Sequence, residues 1–134
     1  NRNHKDRVPM MDTPRDRIRL LLVDDEKPFT DVVSKRLSKR GMDVTAVYSG
    51  TEAVQAIRKQ DFDVAVLDLK MEDMDGIEVL SIFKKAYPEM AVIMLTGHGS
   101  EKAAQQGLAT GAFDYLTKPC DLEDLVEKIE AACR

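Results

Sequence analysis

The sequence lacks several features that would assign it to a membrane, secreted or nucleic-acid-binding class. It has no apolar run near the ~20 residues that a helix needs to cross a bilayer, and no stretch with the basic-then-apolar layout of a signal peptide. Its cysteines, Cys120 and Cys133, lack the spacing of a metal or redox motif. We therefore expect a cytoplasmic protein. The formal net charge of -4 argues against direct nucleic-acid binding, because domains that bind nucleic acid are usually strongly basic.

The composition that remains is typical of a globular domain. Hydrophobic residues make up 43% and charged residues 33% of 134 residues, enough for one domain with a sizeable core. Residues 1–17 mix both charges with Pro9 and Pro14 and show no helical or strand period. We interpret them as a tail, a linker or a cloning remnant, with a basic arm for a partner as the alternative. The folded domain is expected to cover residues 18–134, and a first residue other than Met suggests a piece of a longer protein.

Short β-type segments alternate with helical segments along the rest of the chain. Residues 64–67 form a run of four apolar residues that ends in Asp68, which is typical of a strand buried on both faces of a parallel sheet. The alternation predicts an α/β fold, doubly wound, with helices on both faces of a parallel sheet. The pattern alone leaves two common strand orders open. The predicted strands are residues 18–23, 43–48, 64–68, 91–95 and 114–117.

The helical segments carry recognisable start signals. Pro28 suits the first turn of a helix, where its missing N–H costs nothing. Ser49 and Glu52 have the spacing of a capping box, and Asp121 is expected to cap the last helix. The fourth helix contains Gly107, and a glycine inside a helix costs ~1 kcal/mol relative to alanine. We therefore expect the fourth helix to be the most mobile.

Polar residues follow the predicted strands where the carboxyl ends of a parallel sheet meet, the edge at which α/β sheets carry their chemistry. Three carboxylates placed together would repel one another unless they bind a proton or a cation. Oxygen-only ligands favour a hard cation such as Mg2+. An aspartate can act as a nucleophile toward phosphorus, with a cation and a lysine neutralising charge and a hydroxyl donating to a phosphoryl oxygen. These residues are Asp24, Asp25, Asp68, Thr96 and Lys118.

Four segments carry these residues in a specific combination, LLLVDDE, VLDLKMEDMDGIEVL, VIMLTGHGS and DYLTKP. Together they resemble a bacterial response-regulator receiver domain of two-component signal transduction, similar to chemotaxis receivers. The similarity extends over about residues 18–133. It implies a flavodoxin-like five-stranded sheet with strand order 2-1-3-4-5.

The resemblance also implies roles for the acidic residues. Asp68 would be the phosphoacceptor and Lys118 the phosphate-binding lysine. Asp25 and Asp68 would bind Mg2+ directly, Asp24 would bind it mainly through water, and the backbone carbonyl of Lys70 would be a further ligand.

Other residues resemble the family's switch and tuning positions. Thr96 would be the switch hydroxyl and Tyr115 the aromatic switch. Lys70 and His98 occupy positions that tune the lifetime of the phosphoryl group. The Lys118-Pro119 peptide bond is similar to one that is cis in the family.

The sequence departs from the family pattern at two places. Glu72 stands where proline is most common, in a D-x-x-M-P pattern, so the loop after Asp68 is expected to differ without loss of chemistry. Cys120 stands where phenylalanine usually follows Lys-Pro, and we expect a small buried hydrophobic residue there rather than a reactive thiol.

The implied function is signalling rather than enzymatic. Asp68 would accept a phosphoryl group from a phosphohistidine on a sensor histidine kinase or phosphotransfer protein, and hydrolysis would later remove it. The face formed by the fourth helix, fifth strand and fifth helix would then change its interaction with an output domain, a partner or a second copy. The kinase, the signal, the output, the phosphoryl lifetime and the oligomeric state cannot be read from the sequence.

Three alternatives remain. A metal-dependent phosphatase or nuclease would carry Asp-x-Asp, whereas the second residue after Asp68 is Lys70. A flavin- or nucleotide-binding module would need a Gly- or Ser/Thr-rich loop after the first strand, where this chain is acidic. A degenerate receiver would only bind partners, and the complete set of acidic residues, Thr96 and Lys118 disfavours it.

Overall fold

A computed structural model shows a parallel five-stranded sheet in the order β2-β1-β3-β4-β5. It describes residues 17–134, so the proposed tail lies outside the described residues apart from Arg17. The predicted α/β class is confirmed, as is the strand order 2-1-3-4-5 that the resemblance implied. The elements in chain order are β1 (Arg19–Val23), α1 (Lys27–Lys39), β2 (Asp43–Val47), α2 (Gly50–Lys59), β3 (Val64–Asp68), α3 (Gly76–Ala86), β4 (Ala91–Thr96), α4 (Glu101–Thr110), β5 (Asp114–Thr117) and α5 (Leu122–Ala132).

The predicted strand ends shift slightly in the structure. β1 begins at Arg19 and β2 ends at Val47, each one residue inside the predicted range. β4 continues to Thr96, because this residue still pairs with Thr117 of β5. The pairing holds Thr96 at the carboxyl edge of the sheet, beside the end of β3.

The central strand β3 separates two hydrophobic clusters. Val64 and Val66 pack into the cluster on one face, and Ala65 and Leu67 pack into the cluster on the other. All four are fully buried, which explains why the strand is apolar at every position rather than alternating. Within residues 17–134, no helix is both long and apolar enough to cross a membrane.

The helix starts agree only partly with the predicted caps. The Oγ of Ser49 accepts a hydrogen bond from the N–H of Glu52 at 3.1 Å, as predicted. The carboxylate of Glu52 accepts from the N–H of Tyr48 instead of closing a capping box on Ser49. Asp121 is the N-cap residue of α5, but its side chain makes no cap hydrogen bond, so that prediction was wrong in its chemistry. The acidic residues in the first turn of α5 supply favourable charge at this helix end instead.

Two residues differ from the expected packing. Gly107 of α4 faces β4 so closely that an added Cβ would lie 2.0 Å from the Sδ of Met94, so packing accounts for this glycine. The expected mobility of α4 stays a prediction. Cys120 is half-buried against one hydrophobic cluster rather than buried within it. Burial raises the pKa of its thiol, which is consistent with an unreactive side chain.

Candidate functional site

Three aspartates converge at the carboxyl edge of the sheet. Parallel pairing aligns Val23 of β1 with Leu67 of β3, so the residues that follow them emerge side by side. One carboxylate oxygen from each of Asp24, Asp25 and Asp68 lies within 4.8 Å of the other two. The predicted convergence of these carboxylates is therefore seen in the structure.

The surroundings of Asp68 disfavour its negative charge. Its exposed fraction is 5%, and burial is the main reason that its pKa is raised to about 7. The N–H of Lys70 donates to its Oδ1 at 3.1 Å and lowers the pKa in part, whereas the charge of Asp24 raises it. Ionised carboxylates in this arrangement need a cation, and an all-oxygen donor set fits Mg2+. The residues present therefore suit the metal that the sequence predicted.

Lys118 brings a positive charge to the same cluster. Its Nζ lies 2.9 Å from an oxygen of Asp24 and 3.9 Å from an oxygen of Asp68, and it forms an ion pair with Glu26. The ring of Phe29 lies under the ammonium group, 4.4 Å from Nζ to the ring centroid. Burial lowers the pKa of Lys118, but the hydrogen bonds from its ammonium to Glu26 and Asp24 raise it above the ordinary value. The ammonium group is therefore charged next to the aspartates.

A backbone hydrogen bond holds Lys118 at this edge of the sheet. The N–H of Lys118 donates to the carbonyl of Thr96 at 2.7 Å, which ties the residue after β5 to the end of β4. The Lys118-Pro119 peptide bond is cis, as the resemblance implied.

Sequence reasoning missed a buried threonine that orders the loop after β1. The Oγ of Thr30 donates to the carbonyl of Asp24 at 3.0 Å and to that of Glu26 at 2.9 Å. The N–H of Glu26 in turn donates to the Oδ1 of Asp24 at 3.0 Å. The sequence did not indicate this role, because Thr30 lies inside the predicted first helix and carries no motif. Glu26 and Phe29 were also missed as partners of Lys118, although Glu26 directly follows the aspartate pair.

The two predicted switch residues lie on adjacent strands, Thr96 at the end of β4 and Tyr115 in β5. Thr96 has an exposed fraction of 3%, and its hydroxyl donates to the carbonyl of Leu116 at 3.4 Å. The neighbouring Tyr115 is exposed to 36%. Their switching roles stay predictions.

Lys70 and His98 are both exposed in loops that follow β3 and β4. The proposed roles of these side chains in phosphoryl lifetime stay predictions, as does the role of the Lys70 carbonyl in metal binding. The structure brings the backbone of Lys70 to the site through its N–H group, which donates to Asp68.

A cavity of about 420 Å3 lies at the opposite edge of the sheet, away from the aspartates. Its lining includes Arg19 and Asp63 at the amino ends of β1 and β3, together with Phe62, Tyr87 and Met90. None of the three aspartates lines this cavity.

Comparisons with known proteins agree with this geometry. The family model described as the response regulator receiver domain matches residues 20–130, and the chain belongs to this family. A response regulator receiver domain protein (CheY-like) from Methanospirillum hungatei JF-1 is 33% identical, with a TM-score of 0.84, over 87% of this chain and 94% of that chain. The Francisella response regulator 1452 receiver domain is 31% identical, with a TM-score of 0.80, over 87% and 96% of the two chains.

NtrX from Brucella abortus shows the same fold within a longer protein. Its receiver domain is 31% identical to this chain, with a TM-score of 0.81, over 85% of this chain and 97% of that one. In another NtrX structure, this chain matches 27% of the longer chain at 30% identity. The chain is thus a receiver domain of a two-component response regulator.

Proposed function

We propose that this domain accepts a phosphoryl group on Asp68 from a phosphohistidine of a histidine kinase or phosphotransfer protein, with Mg2+ bound at the aspartates. The observation that carries the proposal is the convergence of Asp24, Asp25 and Asp68 with the ammonium of Lys118, 3.9 Å from Asp68. A nucleophilic carboxylate, a site for a hard cation and a fixed lysine are the elements that phosphoryl transfer to aspartate requires.

The side chains have separate tasks in this transfer. An oxygen of Asp68 would form the new bond to phosphorus as the bond from phosphorus to the donor imidazole breaks. The imidazole, which carries a proton on its other ring nitrogen, would keep the electron pair of the broken bond and leave as the neutral base. Asp25, Asp68 and the Lys70 carbonyl would hold Mg2+, and Asp24 would hold it through water. The bound ion would supply neutralisation of charge on the phosphoryl oxygens. The ammonium of Lys118 adds a second positive charge that is already in place.

The proposed switch follows from two hydrogen bonds. Thr96 would exchange the Leu116 carbonyl for a phosphoryl oxygen, and Tyr115 would move into the space that this releases. A ligand shifts a conformational equilibrium only by its different affinity for the two states. Moving from 1:99 to 99:1 needs about 5.5 kcal/mol, and charge-assisted bonds from Lys118 and Thr96 can supply a large part of it.

The output surface belongs to the same proposal. Leu108, Phe113 and Tyr115 are exposed to 40%, 47% and 36% on α4, β5 and the connection between them. Apolar side chains on this face suit contact with an output domain, a partner or a second copy. The domain would act at residues 18–134 in the cytoplasm, with residues 1–17 as a tail and without direct contact to nucleic acid or membrane. It would assist its own phosphorylation and dephosphorylation rather than turn over a substrate.

The proposal is tested by intact-mass spectrometry after incubation with acetyl phosphate and Mg2+. The wild-type protein should gain a single phosphoryl adduct, and the adduct should be absent when Mg2+ is chelated. Asp68→Asn should remain unmodified while keeping the wild-type circular dichroism spectrum. An adduct on the Asn variant would assign the acceptor elsewhere, and a folded wild-type protein that takes no phosphoryl group even from a histidine kinase would favour a receiver that only binds partners.

A further inference from the structure

The loop between β3 and α3 contacts the acidic cluster at a position that sets this chain apart from the family pattern. The N–H of Glu72 donates to the Oδ2 of Asp25 at 3.2 Å. Glu72 stands where the family most often has proline, which has no N–H to donate. The hydrogen bond therefore exists because this chain has a different residue there.

A second contact holds the same loop in place. Both oxygens of Asp73 accept hydrogen bonds from the start of α2: Oδ1 from the N–H of Gly50 at 2.9 Å, and Oδ2 from the N–H and the hydroxyl of Thr51 at 3.0 and 2.9 Å. These bonds, first that from Gly50, lower the pKa of Asp73, so the anchor is ionised at neutral pH. Asp73 directly follows Glu72, so the anchor restricts where the Glu72 N–H can point.

Packing and backbone pairing restrict the loop further. A Cβ on Gly50 would lie 2.9 Å from atoms of Met74, so the start of α2 and the loop are in close contact. Lys70 and Asp75 pair in an antiparallel bridge that closes the loop upon itself. The Glu72 N–H is thus presented by a segment held on two sides.

We propose that Glu72 is a positioning residue, whose backbone N–H orients the Asp25 carboxylate for metal binding, and that Asp73 keeps the loop where it can do so. The inference rests on the proposed function, in which Asp25 is a metal ligand. A carboxylate has about four lone-pair sites, so a single hydrogen bond fixes its orientation and leaves sites for a cation. Groups that orient metal ligands in this way commonly set metal affinity.

A matched pair of variants isolates the N–H group. Glu72→Pro removes the N–H, and Glu72→Ala removes the side chain but keeps the N–H. We expect Glu72→Pro to weaken Mg2+ binding by about tenfold, at the lower end of the usual effect of losing a group that orients a ligand, and Glu72→Ala to leave it within about twofold. Isothermal titration calorimetry with MgCl2 alone gives these affinities without any phosphorylation step.

A second pair covers the case in which proline prevents folding. Asp73→Ala and Ser49→Ala each remove a side chain that caps α2, but only the first releases the loop. Mg2+ affinity should fall several-fold in Asp73→Ala and be unchanged in Ser49→Ala, although both lower the melting temperature. A loss of stability alone would lower Mg2+ affinity in both variants, so a loss confined to Asp73→Ala would point to the loop.

The outcomes separate the two proposals. Equal Mg2+ affinities within either pair would overturn the positioning role of the loop while leaving the metal site intact. A wild-type protein that binds no Mg2+ at millimolar concentration would instead count against the proposed function itself. Weaker Mg2+ binding in Glu72→Pro and Asp73→Ala, with unchanged binding in the controls Glu72→Ala and Ser49→Ala, would establish the positioning role of the loop.

Discussion

At the scale of single residues, Lys118 is shared between groups with different tasks. Its ammonium contacts Asp24 and Glu26 and lies 3.9 Å from Asp68, over the ring of Phe29. Asp24 belongs to the proposed metal site, whereas Glu26 is exposed and lies outside it. Under the proposed function, Glu26 would therefore compete with the phosphoryl group for the lysine and add negative charge near the site.

Glu26→Gln should accelerate phosphorylation by acetyl phosphate by about two- to fivefold, because a partly exposed charge pair is worth only about 0.2–1 kcal/mol. The gain should be larger at low salt, since screening weakens the repulsion of the donor by Glu26. The measurement is the initial rate of adduct formation at several ionic strengths. Glu127→Gln, which changes an exposed glutamate of α5, serves as the control, and equal rates for wild type and Glu26→Gln would contradict the competition.

The sequence was sufficient to predict which residues follow the strand ends and therefore lie close together. It did not reveal contacts between residues that are far apart in the chain. Asp24, Asp68 and Thr96 could be placed together because parallel strands end at one edge. The contact between Glu26 and Lys118 joins residues 92 apart, and that between Glu72 and Asp25 joins residues 47 apart. No local pattern encodes such pairs, so only the folded arrangement reveals them.

At the scale of elements, two glycines lie where a helix packs closely against a strand or against the loop that follows one. A Cβ on Gly76, at the start of α3, would lie 2.4 Å from the Cα of Leu69. A Cβ on Gly107 would instead meet the side-chain end of Met94. Backbone cannot move aside as a methionine side chain can, so the two positions differ in tolerance. The sequence pattern indicated a weak helix at Gly107, because glycine has a low helix propensity. The sequence did not show that Met94 packs against this position and leaves no room for a larger residue.

Gly76→Ala should destabilise the domain by about 2–4 kcal/mol, as expected for severe overpacking. Gly107→Ala should cost less, because the Met94 side chain can shift and alanine regains ~1 kcal/mol of helix propensity. Urea unfolding followed by circular dichroism measures both. Gly97→Ala is the control, since an added Cβ there meets no atom nearer than 4.0 Å; a Gly76→Ala variant as stable as this control would refute the close approach to Leu69.

At the scale of the whole molecule, the acidic site opposes the stability of the fold. The core on both faces of the sheet is well buried, yet the central strand ends in a buried acid whose pKa is raised to about 7, chiefly by burial. Between the unfolded and folded pKa values the folded state binds more protons than the unfolded state, so stability falls as pH rises. Sites that are needed for function commonly carry such a cost.

Asp68→Asn should therefore be more stable than the wild type in metal-free buffer, by on the order of 2 kcal/mol at neutral pH. The difference should be small near pH 4, grow as pH rises toward 7, and then level off. Denaturant unfolding across this pH range in the presence of a chelator measures it. A difference that is constant with pH would mean that the charge of Asp68 is not the destabilising feature.

The bond between Lys118 and Asp24 joins residues 94 positions apart, and it has a consequence for protein synthesis. A nascent chain that has emerged only as far as β4 carries all three aspartates but not the lysine, and its sheet has no fifth strand. Such a chain would be a poor substrate for a kinase. Under the proposed function, competence to accept a phosphoryl group would thus arrive only once the chain has been translated beyond Lys118, so that fragments released earlier from the ribosome would not be phosphorylated.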